Sequence, residues 1–267
     1  MLRNAKDLHG FTIQAIDGEI GTVDQFYFDD DTWAIRYLTV EKGNWLVGRL
    51  VLISPISIIG QPDWQTKRIN VSLTKAQVQN SPTLDAHLPV SRQHEIAYMG
   101  YYGYPFYWGG GNLWGPAPYP GALTSAARPF TAAGPALTGQ PARDAHLRSA
   151  EEVTGYYIGA TDGEIGHLEG FVFDDESWAI RYIEVGTRNW WPGKKVLIAP
   201  AWIESVSWDD SKVNVQLSRE AIQSGPNYVE SEPITRDYEH QLHAHYGRPP
   251  YWLRHEKYRA ALSATRD

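Results

Sequence analysis

Residues Asp17–Pro55 read DGEIGTVDQFYFDDDTWAIRYLTVEKGNWLVGRLVLISP, and residues Asp162–Pro200 read DGEIGHLEGFVFDDESWAIRYIEVGTRNWWPGKKVLIAP. The two stretches are offset by 145 positions, and across 16–55 and 161–200 the chain repeats 22 of 40 residues without a gap. Agreement of that extent marks one folding unit written twice. The match runs on in both directions. Leu2, Arg3, Ala5 and Gly10 recur as Leu147, Arg148, Ala150 and Gly155. One residue is lost after Pro55, and at an offset of 144 Trp64, Asn70, Val71, Arg92 and Glu95 recur as Trp208, Asn214, Val215, Arg236 and Glu239. The tails YGYPFYW (102–108) and YGRPPYW (246–252) close the two copies. In a chain of 267 residues this divides into a first unit at 1–108, a linker at 109–144 and a second unit at 145–267. Each copy is near the common size of a single domain.

Within a copy the pattern is rich in strands. Residues 11–16 alternate as a short strand, and Asp17-Gly18 is a tight-turn dipeptide. Val23–Phe28 has Phe26 and Phe28 on one face at period two. Asp29-Asp30-Asp31-Thr32 turns the chain, and Trp33–Val40 is the returning strand. Gly43-Asn44 marks another turn, Leu50–Ile53 and Ile56–Ile59 are apolar runs split by Pro55, and Arg68–Leu73 closes the set. Short strands with turns every 8–12 residues predict a small barrel or sandwich. Thr74 and Ser218 are helix N-caps, and further helices run from Ser91 to about Tyr102 and from Thr235 to about Tyr246, ended by Gly103 and Gly247. Residues 109–143 differ in kind: Gly, Pro and Ala fill 21 of 35 positions, a linker composition. Trp114, Tyr119 and Phe130 inside it are candidates to dock on a domain.

These features resemble the PRC-barrel family, named after the cytoplasmic domain of the photosynthetic reaction-centre H subunit. The resemblance rests on DGEIGTVDQFYFD, WAIRYLTVEKGNW and VLISP, with their second-copy counterparts, and covers about 1–80 and 146–224. It implies a mainly β chain of two small antiparallel PRC-type β-barrels, each followed by short helices. It also implies roles in assembly and docking, of the kind found in stand-alone bacterial PRC-barrel proteins. Assistance in assembling a membrane or photosynthetic complex follows by family analogy alone.

Composition narrows the chemistry. The chain has no cysteine, so disulfides, thiolate nucleophiles and Cys-based metal sites are excluded. A formal charge of −7 gives no global attraction to nucleic acid, and there is neither a basic stripe nor an RNA-type aromatic motif. No apolar run reads as a secretion signal or as the ~18-residue core of a membrane helix, so the expected location is cytoplasmic. No G-x-S-x-G elbow or phosphate-binding glycine motif is present, and no enzymatic activity or cofactor is expected.

Asp17/Glu19 and Asp162/Glu164 invite a catalytic or metal reading, against which stands an ordinary Asp-Gly turn. Asp29, Asp30 and Asp31, with Asp174, Asp175 and Glu176, offer oxygen ligands but lack the spacing of a calcium loop. His240 and His243 could share a helix face near Glu239, but the first copy has Ile96 and Met99 there. A metal-binding sensor or small hydrolytic enzyme built on these groups is the alternative function. Trp33, Arg36, Tyr37 and their repeats Trp178, Arg181, Tyr182 read as structural, through cation–π or cross-strand pairing. The candidates for a protein interface are Tyr102, Tyr104, Tyr107, Trp108, Tyr246, Tyr251 and Trp252, weighed against packing on their own barrels. The expected function is that of a non-enzymatic adaptor holding an unknown protein partner, with the two barrels paired inside the chain.

Overall fold

The computed structural model describes residues 1–42, 51–82, 90–108, 110–124, 146–187 and 194–253. The Gly43-Asn44 turn, the Asn-Trp pairs at 44–45 and 189–190, Leu50 and Phe130 lie outside the described residues. The described chain is mainly β, with two sheets and short helices.

In the first copy, β1 is Leu2–Asn4, β2 Thr12–Ala15, β3 Gly18–Asp29, β4 Ala34–Lys42, β5 Val51–Ile53 and β6 Arg68–Asn70. The sheet order is β5-β4-β3-β2-β6, antiparallel except for the β2–β6 pair. Ile13, Ile20, Val23, Phe28, Ile35, Tyr37 and Ile53 fill its core face. The second copy repeats this with β8 Tyr157–Ala160, β9 Gly163–Asp174, β10 Ile180–Gly186, β11 Lys195–Ile198, β12 Ile203–Ser207 and β13 Lys212–Val215. The order there is β11-β10-β9-β8-β13-β12. Helices α1 (Lys75–Gln79) and α2 (Arg92–Tyr102) follow the first copy, and α3 (Gly121–Thr124) lies in the linker. Residues 147–153 form β7 (Leu147–Ser149) and α4 (Ala150–Val153), and α5 (Arg219–Ser224) and α6 (Arg236–His245) follow the second copy. Thr74, Ser91, Ser218 and Thr235 are the N-caps, and Gly103 ends α2 in the left-handed region, as the sequence predicts.

Several local expectations need correction. Ile56–Ile59 is not a strand. Pro55–Ser57 forms a 3-10 turn in which the Ile56 N–H donates to Ser54 Oγ at 3.3 Å. Ile58 makes only an isolated bridge to Val71. The second copy forms the same 3-10 turn at Pro200–Trp202 and then a continuous strand, β12, where the first copy has only the bridges Ile58–Val71 and Asp63–Arg68. Trp33 is not a strand residue. It has φ 54° and Trp178 has φ 60°, both in the left-handed region that non-glycine residues seldom occupy. The Asp29 carboxylate holds the turn by accepting from the N–H groups of Asp31 (3.1 Å) and Thr32 (3.0 Å), and Asp174 serves Glu176 and Ser177 likewise. The acidic loop is therefore first a turn-capping device in both copies.

The Asp-Gly turn closes the β2–β3 hairpin, with Ala15 opposite Gly18. Gly18 has φ +137°, and a Cβ there would meet Lys75 Nζ at 3.3 Å. Asp17 also acts over a long sequence distance. Its Oδ1 accepts from Lys75 N at 2.8 Å, and Asp162 accepts from Arg219 N at 2.7 Å. Each carboxylate thus satisfies an orphan N–H at the start of a helix. Asp17→Ala is expected to cost about 1 kcal/mol in chemical denaturation. An unchanged midpoint would show that the contact contributes nothing.

The terminal strands of the two copies are exchanged, which periodicity in three residues could not reveal. β1 pairs antiparallel with the end of β9, Leu2 opposite Asp174 and Asn4 opposite Val172. β7 pairs with the end of β3, Leu147 opposite Asp29 and Ser149 opposite Tyr27. By contacts the chain divides into Met1–Thr154 with Gly170–Arg181, and Gly155–Glu169 with Tyr182–Asp267. Every residue of the exchange lies in the first of these units, because residues 170–181 pack with the first copy. Each sheet order has two end strands among the described residues.

Candidate functional site

The repeated tails fold back on the sheets, and in each unit they bury one carboxylate under aromatic rings. In the first unit α2 carries Arg92 and Glu95, three residues apart and hence on one helix face. β4 carries Arg36 and Tyr37 at a register shift, Phe28 facing Ile35 and Tyr27 facing Tyr37, and both side chains reach the cluster around Tyr107 and Glu95. Gly103 and Pro105 turn the chain so that Tyr107 and Trp108 return over α2. Glu95 Oε1 accepts from Tyr107 Oη in a short hydrogen bond and from Tyr37 Oη at 3.2 Å. Its Oε2 accepts from Arg92 Nη1 at 2.8 Å. Arg92 lies over the Trp108 ring at 4.3 Å. Burial pushes the Glu95 carboxyl up to about 7, although Arg92 and the two phenols pull it down. Burial likewise drives Tyr37 and Tyr107 far above the usual phenol range, and the neighbouring Glu95 charge adds to it.

Arg36 is 1% exposed and sits in the corner of two rings that meet at 70°, 3.8 Å from the centroid of Tyr107 and 4.6 Å from that of Trp114. Its Nη2 donates to Thr32 Oγ1 at 2.9 Å and to Asp29 Oδ2 at 3.4 Å. Nε and Nη1 have no hydrogen-bond partner among the described residues. The stacking over two π-faces is what compensates their burial. Trp114, inside the glycine- and proline-rich stretch, is fully buried and donates from Nε1 to Ser177 O at 2.8 Å. Residues 110–124 are therefore part of the first unit's packing, and α3 rests on the Pro55–Ser57 turn.

The second unit builds the same arrangement from its own copy. Tyr182 donates to Glu239 Oε1 at 2.8 Å, and Arg236 Nη1 lies 3.0 Å from Glu239 Oε2. Arg236 stacks on Trp252 at 4.1 Å and reaches Tyr251 Oη at 3.5 Å. One difference is chemical. His243 replaces Met99, and its Nε2 lies 3.1 Å from Tyr182 Oη, with the ring packed among Trp202, Tyr251 and Trp252. Burial lowers its pKa, so the neutral imidazole is favoured. His240 is exposed and edges onto Trp252 at 5.1 Å. The two imidazoles thus have different surroundings. Among the described residues, the group whose ligand atoms could share an ion is instead Asp30, Asp31 and His146. Asp30 in that group is already paired with Arg148 at 2.9 Å.

Of the sequence's interface candidates, Tyr104, Tyr107 and Tyr246 are buried beneath the tails. Tyr102, Trp108, Tyr251 and Trp252 are half-exposed. Tyr102 stacks on Tyr104 at 5.4 Å, and Tyr246 packs on Trp202 at 4.9 Å. Sequence reasoning misses Arg92, Glu95, Arg236 and Glu239 as site residues. Their signal is an Arg-x-x-Glu pair kept at a constant offset in helices that otherwise diverge. Only the fold brings each pair beneath its tail.

Residues 2–78 match the family described as PRC-barrel domain. A search of the curated proteins found no match.

Proposed function

We propose, proceeding from the PRC-barrel match over residues 2–78, that the chain is a non-enzymatic assembly module. In this reading the second repeat is a further PRC-type unit. Each sheet forms most of a small barrel, and the two repeats pair inside one chain. The observation that carries the reading is how the ionisable groups are used. Glu95 and Glu239, each 2% exposed, are spent on their own arginines and phenols. Meanwhile Trp108 and Trp252 remain half-exposed on the outer faces of those arginines, in both copies. Rigid aromatic rings of that kind bury much area on a partner at little entropic cost. Tyr251 packs against Trp252 at 5.0 Å and Tyr107 against Trp108 at 4.9 Å, while Tyr102 stacks on Tyr104. No helix among the described residues is long and apolar enough to cross a membrane.

The test is a native affinity purification with the full chain and its Trp108→Ala/Trp252→Ala variant. A partner held in stoichiometric amount by the wild type should be lost at least tenfold from the variant. Each truncation gives up an Arg–ring contact of about 0.5–1 kcal/mol, so the variant should stay folded. Equal retention by both proteins would remove the tails from the interface. Stoichiometric metal in the purified chain, lost on His240→Ala/His243→Ala, would move the function to the metal-dependent alternative.

A further inference from the structure

The exchanged strands belong to a contact that is self-complementary. Arg3 pairs with Asp175 at 3.2 Å, and Arg148, its repeat, pairs with Asp30, the repeat of Asp175, at 2.9 Å. Two pairs join a residue to its own repeat. Ala34 bridges Ala179, and the Phe26 ring meets Phe171 edge-on at 5.6 Å. Around the alanines the backbone bonds are reciprocal: Ile35 N to Trp178 O at 2.8 Å, and Ile180 N to Trp33 O at 2.7 Å. All these residues lie in the unit Met1–Thr154 with Gly170–Arg181. Residue i meeting j while the repeat of j meets the repeat of i is the pattern of an isologous interface. Such a contact has the same chemistry whether its two halves belong to one chain or to two. Covalent joining sets only the effective concentration at which they meet.

We propose that a second copy of this chain is a partner for this surface. The first repeat of one chain accepts β7 and Ala179 of the other, while its own β1 pairs with that chain's β9. The reciprocal set forms in the opposite direction, giving a strand-swapped dimer. No new contact is needed, which makes swapping a low-cost route to dimers. The proposal rests on the paired-repeat reading above, and the test separates the two.

The chain has no cysteine, so engineered thiols report without background. Ala34 and Ala179 form a non-hydrogen-bonded antiparallel pair, whose Cα atoms lie about 4.5 Å apart, within reach of a disulfide. Three full-length variants are oxidised and run on a non-reducing gel with peptide mapping: Ala34→Cys, Ala179→Cys, and the double variant. The double variant should form the 34–179 disulfide within one chain. The two single variants, mixed and incubated at high concentration before oxidation, should give a covalent dimer joined 34 to 179. Its yield should rise up to about tenfold for a tenfold rise in concentration at low occupancy. Each single variant alone should stay uncross-linked, since residue 34 faces 179 and not 34. A disulfide in the double variant with no interchain 34–179 product from the mixture overturns the swapped dimer and leaves the paired repeats standing. No disulfide in the double variant, with near-UV circular dichroism showing it folded, overturns both.

Discussion

Replacing Arg36 with alanine is expected to lower the unfolding free energy by about 3–5 kcal/mol, the usual cost of breaking a buried charged pair from one side. Three losses combine. Asp29, 4% exposed, keeps its carboxylate but loses the guanidinium beside it. Tyr107 and Trp114 lose the cation that lies over both rings. The space left lies under the segment that carries Trp114, so the tail loses its support. The measurement is a urea titration of the full chain, read on the transition that reports tryptophan burial. Arg36→Met tests the balance of charge against volume and should recover part of the loss. Arg92→Ala is the comparison: it leaves Glu95, 2% exposed, without its guanidinium, and should also destabilise the fold, but less where Glu95 is protonated. A loss under about 1 kcal/mol for Arg36→Ala would mean that the buried guanidinium is incidental to stability.

The second large effect is on pH. Glu95 has an ordinary carboxyl value of 4.5 when exposed and about 7 when buried in the fold. A carboxyl raised on folding prefers the native state when protonated. Its contribution is fully present below about pH 4.5 and disappears as pH rises through about 7. The change across that window amounts to roughly 3 kcal/mol in favour of the acid side. Other groups titrate there too, so the useful quantity is the difference between the wild type and Glu95→Gln. Glutamine accepts from Tyr37 and Tyr107 without a charge to desolvate, so its curve should lack this slope. The wild type should therefore lose stability relative to Glu95→Gln between pH 4.5 and 7.5. A flat difference would show that Arg92 and the two phenols fully offset the desolvation of the carboxylate.

Much of this molecule is legible as a linear text, for definite reasons. The duplication is a statement about letters, and a constant offset needs no structure. Although two register shifts and the burial of Tyr27 between Phe26 and Phe28 break the alternation expected there, the strand over residues 23–28 and the Asp17-Gly18 turn are set by near neighbours, so they read locally. The same holds for the N-caps Thr74, Ser91, Ser218 and Thr235, whose bonds close within three residues.

What escapes such reading is whatever joins distant segments. Three-residue strands such as Leu2–Asn4 carry no period, and their pairing with the end of the other copy's long strand is a choice made by the whole fold. Trp33 and Trp178 look like ideal strand residues, yet two backbone bonds to the Asp29 and Asp174 side chains hold the preceding turns and leave each Trp left-handed. Glu95 looks like an ordinary surface helix residue until Tyr37, 58 positions away, and Tyr107 close over it. Sequence alone determined that one strand-rich unit was copied and joined by a glycine- and proline-rich segment. Tertiary structure decided where that segment stops being linker, since burial of Trp114 against Arg36 depends on side chains 78 positions apart. It also decided which charges are buried, because desolvation depends on everything that surrounds a group in space and on nothing that adjoins it in the chain.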